Sequence, residues 1–195
     1  MTATLPVGFA VAGGHSRRMG RDKALLPWGE STLLDYTLER LRTVCSDVRI
    51  LSGPAPRYLD HGATVVLDHV REIGPLGGIE AALASPGVAA GLFLAVDMPF
   101  VTVELLQALI EWAADFDAVV PVGGGGAQPL CAVYRVSCLE AVRACLKAGD
   151  YRMTGFWPQV RVREVAEDEL ARFGVPATLF DNVNTPADYD RAGPL

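Results

Sequence analysis

A glycine- and arginine-rich stretch near the start of the chain has the residue types that bind phosphate. It reads VAGGHSRRMGRDKALL and runs from Val11 to Leu26. Gly13 and Gly14 let backbone N–H groups approach a ligand without a Cβ in the way, and successive amides of this kind bind anions. Arg17 can hold phosphate oxygens with its planar guanidinium group, and Lys23 adds a compact positive charge. The stretch therefore predicts a binding site for a polyphosphate.

The positive charge of this stretch contrasts with the charge of the whole chain. The 195 residues include 17 Lys and Arg and 23 Asp and Glu, so the formal net charge is −6. An acidic chain of this kind argues against nucleic acid or an anionic membrane as a partner. The glycine spacing fits neither the dinucleotide fingerprint nor the Walker A loop. We therefore predict a nucleotide site of another kind, with a glycine turn on a solvated basic surface as the alternative.

Two aspartates follow apolar runs that have the character of strands. Asp68 comes directly after Thr64–Leu67, and Asp97 comes directly after Leu92–Val96. Because ligands bind at the carboxyl ends of parallel strands, both carboxylates are expected on the same edge of the sheet as the glycine-rich loop. Mg²⁺ is held by one or two carboxylates together with phosphate oxygens and waters. Asp97 is thus the predicted metal ligand, with a turn residue before Pro99 as the alternative. Asp68 is predicted to assist the metal or to orient the nucleotide, with a loop cap as the alternative.

Short apolar runs alternate with segments of helical period, and these elements must position the candidate residues. The early apolar runs are continuous rather than alternating, which is typical of strands covered on both faces. The pattern predicts an α/β fold with a mostly parallel sheet flanked by helices, and residues 1–195 as a single domain. The predicted strands are Val7–Val11, Val48–Leu51, Thr64–Leu67, Leu92–Val96, Ala118–Val122, Leu130–Tyr134 and Thr178–Phe180.

Several helix starts are also predicted. Thr32, Thr102 and Ser137 each precede a segment with apolar residues at helical spacing, and each is a predicted N-cap. Thr185 is followed by a proline and, three residues on, by Asp188, which makes a good helix start without any ligand.

Other features exclude whole classes of protein. The four cysteines lack the spacing of zinc ligands, so we expect them to be buried free thiols. The first residues lack the pattern of a signal peptide, and the longest apolar run, Gly87–Val96, is too short to cross a bilayer. We therefore expect a cytoplasmic protein.

Five motifs follow one another along the chain: VAGGHSRRMGRDKALLPWG from Val11, GPLGGIEAAL from Gly74, DMPF from Asp97, QPLCAVY from Gln128 and NVNTPAD from Asn182. In this order they resemble the motifs of the MobA-like molybdenum cofactor guanylyltransferases. The resemblance implies a Rossmann-like nucleotidyltransferase fold. It also implies that the protein transfers GMP from GTP to the terminal phosphate of molybdenum-bearing molybdopterin, with Mg²⁺ or Mn²⁺ as cofactor. Proteins that deliver the pterin and acceptor molybdoenzymes are further partners that the resemblance implies.

The resemblance implies that Val11, Ala12 and Gly13 line the guanine nucleotide and that Lys23 binds its phosphates. It also implies that Asp68 contacts the nucleotide and that Asp97 contacts both the nucleotide and Mg²⁺. Gly14 and Ser52 complete the predicted nucleotide residues, and Arg17, Lys23 and Asp97 are the predicted catalytic residues. The downstream motifs resemble the pterin side of the site, where the predicted residues are Gln128, Pro129, Arg152, Asn182 and Asn184, with loop geometry as the alternative for the two asparagines.

One stretch departs from the family pattern. Family members carry an asparagine-rich turn after the second strand, whereas this chain has LSGPAP at Leu51–Pro56, where Ser52 supplies the only side-chain hydrogen-bonding group. The base therefore stays open. A CTP-dependent cytidylyltransferase acting on molybdopterin, or a nucleotidyltransferase acting on a sugar or alcohol phosphate, is the alternative within this fold. A non-catalytic nucleotide-binding protein is the alternative outside enzymes.

Overall fold

A central β-sheet with helices on both faces organises the chain. The computed structural model describes residues 5–13, 22–69 and 73–193. The first half contains β1 (Val7–Val11), β2 (Pro27–Trp28), β3 (Ser31–Thr32), α1 (Leu33–Val44), β4 (Val48–Leu51), β5 (Thr64–Val66), α2 (Pro75–Leu83) and β6 (Ala90–Ala95). The second half contains α3 (Val103–Trp112), β7 (Ala118–Gly123), β8 (Gly126–Ala127), β9 (Cys131–Arg135), α4 (Leu139–Ala148), β10 (Val162–Val165), α5 (Glu167–Leu170), α6 (Pro176–Leu179) and α7 (Pro186–Ala192).

The main sheet has eight strands within these residues, in the order β10-β7-β9-β6-β1-β4-β5, with β8 paired to β7. Strand β9 runs antiparallel to both of its neighbours, β6 and β7. The pairings of β1 with β4 and β6, of β4 with β5 and of β7 with β10 are all parallel. The predicted mostly parallel sheet flanked by helices is confirmed, and the carboxyl ends of β1, β4, β5 and β6 lie along one edge.

Two apolar clusters cover the two faces of the sheet. On one face, Ala10 of β1 packs in a cluster with residues of α1 and α3 such as Leu38 and Leu105. On the other face, Phe9 stacks on Phe93 at a centroid distance of 5.0 Å and joins a cluster with residues of α2 and α4. Because neighbouring residues of β1 point into different clusters, every position of the strand is apolar.

The structure differs from the predicted strands at two places in the last quarter of the described chain. The strand predicted at Thr178–Phe180 is wrong, because Pro176 begins the short helix α6 and this run forms its end. A proline at the first helical position fits this start. Strand β10 was not predicted, because Arg163 and Glu164 interrupt its apolar character. It is an edge strand, where charged residues are normal.

The threonine caps are confirmed and the serine cap is wrong. The hydroxyls of Thr32, Thr102 and Thr185 accept hydrogen bonds from the backbone three residues ahead, at 3.1, 3.3 and 3.1 Å. Ser137 lies inside a 3-10 turn and donates its hydroxyl to Asp117 at 2.7 Å instead. The four cysteines are buried free thiols, as expected. Within the described ranges, the structure has no helix that is long and apolar enough to cross a membrane.

A polar network joins α2, α4 and the segment after β5. Glu80 in α2 accepts hydrogen bonds from Arg143 Nε at 2.9 Å and is 2.7 Å from His69 Nδ1. Burial raises the pKa of Glu80, but the hydrogen bonds from His69 and Arg143 outweigh burial and hold that pKa below its ordinary value. The carboxylate form of Glu80 is therefore the form that stabilises the fold.

We expect Glu80→Gln to lower the free energy of unfolding near neutral pH by about 1 kcal/mol, since solvent screens the half-exposed partners. A carboxylate whose pKa is depressed by folding stabilises above its unfolded value, and the stabilisation is lost as pH falls. The difference between the variant and the original protein should therefore shrink as pH drops below the ordinary glutamate value of 4.5. Urea unfolding of both proteins at several pH values measures this difference in the free energy of unfolding. Glu140→Gln is the matched control, because that side chain is 83% exposed and bonds the same arginine. A difference that stays constant with pH would contradict the assignment.

Candidate active site

Lys23 stands at the centre of a group of polar side chains from three distant parts of the chain. Its Nζ lies 2.7 Å from Asp97 Oδ2 and 2.7 Å from Asn184 Oδ1. The side chains of Lys23 and Asp97 are only 15% and 23% exposed. Partial burial weakens the screening of this ion pair by water, so the pair is a stronger electrostatic feature than a surface pair.

A short turn at the end of the glycine-rich stretch fixes the backbone of Lys23. Residues Lys23–Leu25 form a 3-10 turn, and Asp22 caps it by accepting a hydrogen bond from the Ala24 N–H at 3.2 Å. The Leu33 N–H then donates to the Leu26 carbonyl at 3.0 Å, which ties the turn to the start of α1. The position of Lys23 is thus determined by local capping and by the packing of the first helix.

Asp97 follows β6, and the loop behind it is held from two sides. The Asp97 carbonyl accepts a hydrogen bond from the Val183 N–H at 2.9 Å. Arg40 of α1 donates to the Pro99 carbonyl at 2.7 Å. The backbone that carries the Asp97 carboxylate is therefore fixed at the sheet edge, as a preorganised metal site requires.

The loops after β1 and β4 touch each other beside this group. A Cβ added to Gly13 would lie 2.9 Å from the Gly53 nitrogen, closer than real Cβ contacts allow. Glycine at position 13 thus permits the close approach of the two loops. The Ala12 N–H donates to the Leu51 carbonyl at 2.9 Å, so Ala12 continues the sheet register beyond Val11.

Ser52 and Asp68 follow the neighbouring strands β4 and β5. Ser52 is fully buried, and its hydroxyl donates to the Ala55 carbonyl at 2.7 Å, so this donor is used to close the loop. Burial raises the pKa of Asp68, an effect that His69 partly offsets. The Asp68 carboxylate lies beside α2, where a Cβ on Gly78 would be 3.4 Å from its Oδ1. The nucleotide roles of both residues stay predictions.

Gly14, a predicted nucleotide residue, and Arg17, a predicted catalytic residue, lie outside the described residues. Of the predicted nucleotide residues within them, Val11, Ala12 and Gly13 lie at the end of β1, and Lys23 and Asp97 are in direct contact. The structure therefore brings the phosphate-binding and metal-binding candidates together at one sheet edge, as the strand-end argument predicts.

The predicted pterin residues are spread over three loops. Gln128 donates its amide to the Gly123 carbonyl at 2.7 Å, and the carbonyl of Pro129 accepts from the Tyr134 hydroxyl at 3.0 Å. Arg152 is paired with Asp150 through its Nε and Nη2 at 2.8 and 2.7 Å. These contacts show how the loops hold their shape, and the pterin roles of the three residues stay predictions.

The two asparagines of the C-terminal motif have different surroundings. Asn182 donates its amide to the Phe180 carbonyl at 3.2 Å, two residues away, which stabilises the loop itself. Asn184 instead reaches Lys23, 161 positions distant in sequence. The structure thus connects the C-terminal motif to Lys23, the lysine predicted to bind phosphate, through a contact that the motif spacing did not predict.

We expect Asn184→Ala to raise the KM for the nucleotide about fivefold, because Lys23 loses the acceptor that orients it. The KM for the second substrate should stay within about twofold of its original value if Asn184 acts through Lys23. Steady-state kinetics with each substrate varied in turn separates the two. Asn182→Ala is the matched control for the same motif. A rise confined to the KM of the second substrate would instead place Asn184 on that substrate.

Sequence reasoning missed four residues that shape this site. Arg40 holds the loop after Asp97, while Arg57 and Tyr58 contact Asp22 from the loop after β4. Each of these contacts joins residues far apart in sequence, so neither periodicity nor motif spacing carries a signal for them. The only sequence signal for Asp22 is that it is the one acidic residue among the basic residues of positions 17–23.

The donor chemistry of Asp97 fits a divalent cation that is completed by a substrate. Among the residues that the structure describes, no group of three or more His, Cys, Asp or Glu side chains is close enough to hold a metal alone. A single carboxylate is nevertheless enough for Mg²⁺ when phosphate oxygens and waters supply the other ligands. Asp97 at the sheet edge meets that requirement.

Comparison with known proteins identifies close relatives. Residues 8–162 match the family described as MobA-like NTP transferase domain. A probable molybdenum cofactor guanylyltransferase of Pelotomaculum thermopropionicum is 39% identical over 185 residues, which cover 95% of this chain and 90% of that protein.

Solved structures share the fold. Molybdopterin-guanine dinucleotide biosynthesis protein A from Archaeoglobus fulgidus is 25% identical and has a TM-score of 0.78, with 95% of this chain and 96% of that chain covered. A Mycobacterium tuberculosis H37Rv protein solved as a complex with manganese is 22% identical, with a TM-score of 0.63 and coverage of 96% and 97% of the two chains. The predicted nucleotidyltransferase fold is therefore confirmed.

Proposed function

Because this chain belongs to the family of MobA-like NTP transferases, we propose that it transfers GMP from GTP to the terminal phosphate of molybdenum-bearing molybdopterin and releases pyrophosphate. The observation that carries this proposal is the contact of Lys23 with both Asp97 and Asn184. It joins the glycine-rich motif, the DMPF motif and the NVNTPAD motif in one site. The relative from Pelotomaculum thermopropionicum is named a probable molybdenum cofactor guanylyltransferase, which supports this proposal.

The reaction is an in-line displacement at the α-phosphorus of GTP. A terminal phosphate oxygen of the pterin forms a bond to the α-phosphorus, and the bond from that phosphorus to the bridging oxygen of the β-phosphate breaks. Pyrophosphate leaves with the electron pair. The attacking phosphate is already ionised near neutral pH, so the reaction needs no general base. Positioning of two polyanionic substrates and neutralisation of charge on the leaving group are then the tasks of the protein.

Lys23 is suited to the charge that develops on pyrophosphate. Its ammonium group is a compact cation with rotatable donors, and Asn184 and Asp97 hold it at the sheet edge. Arrival of a triphosphate adds oxygens that compete with the Asp97 carboxylate for this cation. In that competition Asn184 keeps the ammonium group oriented, while the carboxylate becomes available to a metal ion.

We assign the metal position to Asp97, with Mg²⁺ as the resident ion and Mn²⁺ as a substitute. A divalent ion bound there supplies Lewis-acid polarisation of phosphate oxygens. The carbonyl of Asp97 is fixed by Val183, so the carboxylate is held ready on the sheet edge. Arg17, whose planar guanidinium group suits phosphate oxygens, is proposed to act with Lys23.

The nucleotide is proposed to lie along the carboxyl ends of β1, β4 and β5. Val11, Ala12 and Gly13 provide the backbone of that surface, and Asp68 provides a half-buried carboxylate for a hydrogen bond to the nucleoside. The pterin is proposed to contact Gln128, Pro129, Arg152 and Asn182, whereas Asn184, which contacts Lys23, is proposed to act on the nucleotide side of the site.

The structure supports a second candidate for the nucleotide substrate, which differs from GTP in its base. The only side-chain hydroxyl of the LSGPAP stretch, that of Ser52, already donates to the Ala55 carbonyl, and Pro54, Ala55 and Pro56 are exposed. This loop offers a base carbonyl groups and apolar surface in place of side-chain amides. CTP is therefore the second candidate nucleotide for transfer to the same pterin.

A product assay separates the proposals. The purified protein is incubated with Mg²⁺, molybdenum-loaded molybdopterin and, in separate reactions, GTP, CTP, ATP or UTP. Pyrophosphate is measured enzymatically, and the dinucleotide is identified by mass. We expect product with GTP. Product with CTP alone would move the function to the cytidylyltransferase, and nucleotide binding without product from any of the four would indicate a non-catalytic protein.

A further inference from the structure

Arg57 and Tyr58, from the loop after β4, contact two residues of the glycine-rich stretch, Ala12 and Asp22. Arg57 Nη1 lies 3.1 Å from Asp22 Oδ2, and its Nη2 donates to the carbonyls of Ala12 and Ser52 at 3.3 and 3.0 Å. The Tyr58 hydroxyl donates to the same Asp22 oxygen at 2.8 Å. Ala12 and Asp22 are thus held by the same pair of neighbouring side chains.

The two carboxylate oxygens of Asp22 have different hydrogen-bond partners. Oδ1 accepts from the Ala24 N–H and caps the turn that begins with Lys23. Oδ2 receives the Arg57 guanidinium and the Tyr58 hydroxyl. A change at Oδ2 therefore moves the cap at Oδ1, and with it the backbone of Lys23.

The backbone at Tyr58 is strained in a way that suits a special position. Its φ is +65°, and among the described residues it is the only non-glycine residue with positive φ. Side chains other than glycine disfavour this region, and such residues cluster at functional sites where the surroundings fix them. Tyr58 is also 8% exposed, and the Arg57 guanidinium lies 5.0 Å from the centre of its ring. This conformation lets two consecutive side chains reach the same carboxylate.

We propose that Arg57 and Tyr58 are positioning residues. Their hydrogen bonds to Asp22 and to the Ala12 carbonyl hold Lys23 in the position that binds the triphosphate. This inference rests on the proposed function, in which Lys23 binds the phosphates of the nucleotide. The Arg57–Tyr58 pair acts through Asp22 and makes no contact with the reacting atoms. It explains why an arginine follows the LSGPAP loop and why the chain accepts positive φ at a tyrosine.

A binding experiment without the second substrate tests this role. Calorimetric titration of GTP with Mg²⁺ is carried out on the original protein, Arg57→Ala and Tyr58→Phe. We expect a loss of GTP affinity of about tenfold for Arg57→Ala and about threefold for Tyr58→Phe, which keeps the ring and removes only the hydroxyl. Arg49→Ala is the matched control, since Arg49 lies on β4, the strand before this loop, and pairs with Asp47 and the Pro86 carbonyl. Its GTP affinity should stay within about twofold.

A double-mutant cycle shows whether the effect passes through Lys23. In a Lys23→Ala background, Arg57→Ala should cause less than about a twofold further loss of GTP affinity. A loss as large as in the original background would overturn the positioning role, because Arg57 would then act independently of Lys23. Unchanged GTP affinity in both Arg57→Ala and Tyr58→Phe, with only a lowered melting temperature, would overturn it as well.

The binding measurements on the Arg57 and Tyr58 variants give results that differ from those expected if the proposed GMP transfer itself is wrong. If the protein binds GTP but forms no dinucleotide, the proposed transfer fails while the binding cycle still decides the role of Arg57 and Tyr58. If it binds CTP and not GTP, the same cycle is measured with CTP. If it binds none of the four nucleotides, the positioning role is overturned together with the nucleotide site.

Discussion

Asp97→Asn is expected to lower kcat for GMP transfer by at least about a thousandfold in the presence of Mg²⁺. The substitution keeps the size and hydrogen-bonding capacity of the side chain while removing its negative charge. It therefore removes the carboxylate that would hold the metal and leaves the backbone contact between Asp97 and Val183 in place. Pyrophosphate release, followed over a range of Mg²⁺ and Mn²⁺ concentrations, measures the effect.

The matched control for this variant is Asp115→Asn. Asp115 is an exposed aspartate beyond the end of α3, and its substitution should leave kcat within about twofold. A thermal melt of Asp97→Asn checks that the fold is retained. Turnover at the original rate, with the original dependence on metal concentration, would contradict the assignment of Asp97 as metal ligand.

Lys23→Ala should lower kcat/KM for GTP by about a hundred- to a thousandfold, because the variant lacks the cation that neutralises charge on the leaving pyrophosphate. Lys23→Arg keeps the charge but replaces a compact ammonium with a planar group, so its activity should be intermediate. Steady-state kinetics with GTP varied at saturating pterin gives both constants.

Stability must be measured alongside activity for Lys23→Ala. Its removal leaves the partly buried Asp97 carboxylate without the 2.7 Å ion pair, so a fall in melting temperature is expected as well. Lys147→Ala, at an exposed position of α4, is the control for loss of a lysine. If Lys23→Ala changed only the melting temperature and kept kcat/KM for GTP, Lys23 would be a structural residue and the proposed triphosphate site would be wrong.

Local features of the sequence predicted most of the fold. Thr32 and Thr102 marked helix starts, and the continuous apolar run of Val7–Val11 indicated a strand buried on both faces. These signals depend on neighbours within one or two turns, so a sequence displays them directly. They failed at Thr178–Phe180, where a proline two residues earlier outweighed the apolar run, and at Val162–Val165, where charged side chains concealed an edge strand.

The sequence by itself determined which functional groups lie at one edge of the parallel sheet: glycine amides, the Lys23 ammonium group and a carboxylate at a strand end. Only the tertiary structure decided which side chains hold these groups in place. Asn184 meets Lys23 across 161 positions, and Tyr58 meets Asp22 across 36. Such contacts arise when loops from separate strands converge at the sheet edge, and their geometry depends on the packing of the whole chain. The periodicity and spacing of a sequence describe local structure, so they carry no trace of these pairs.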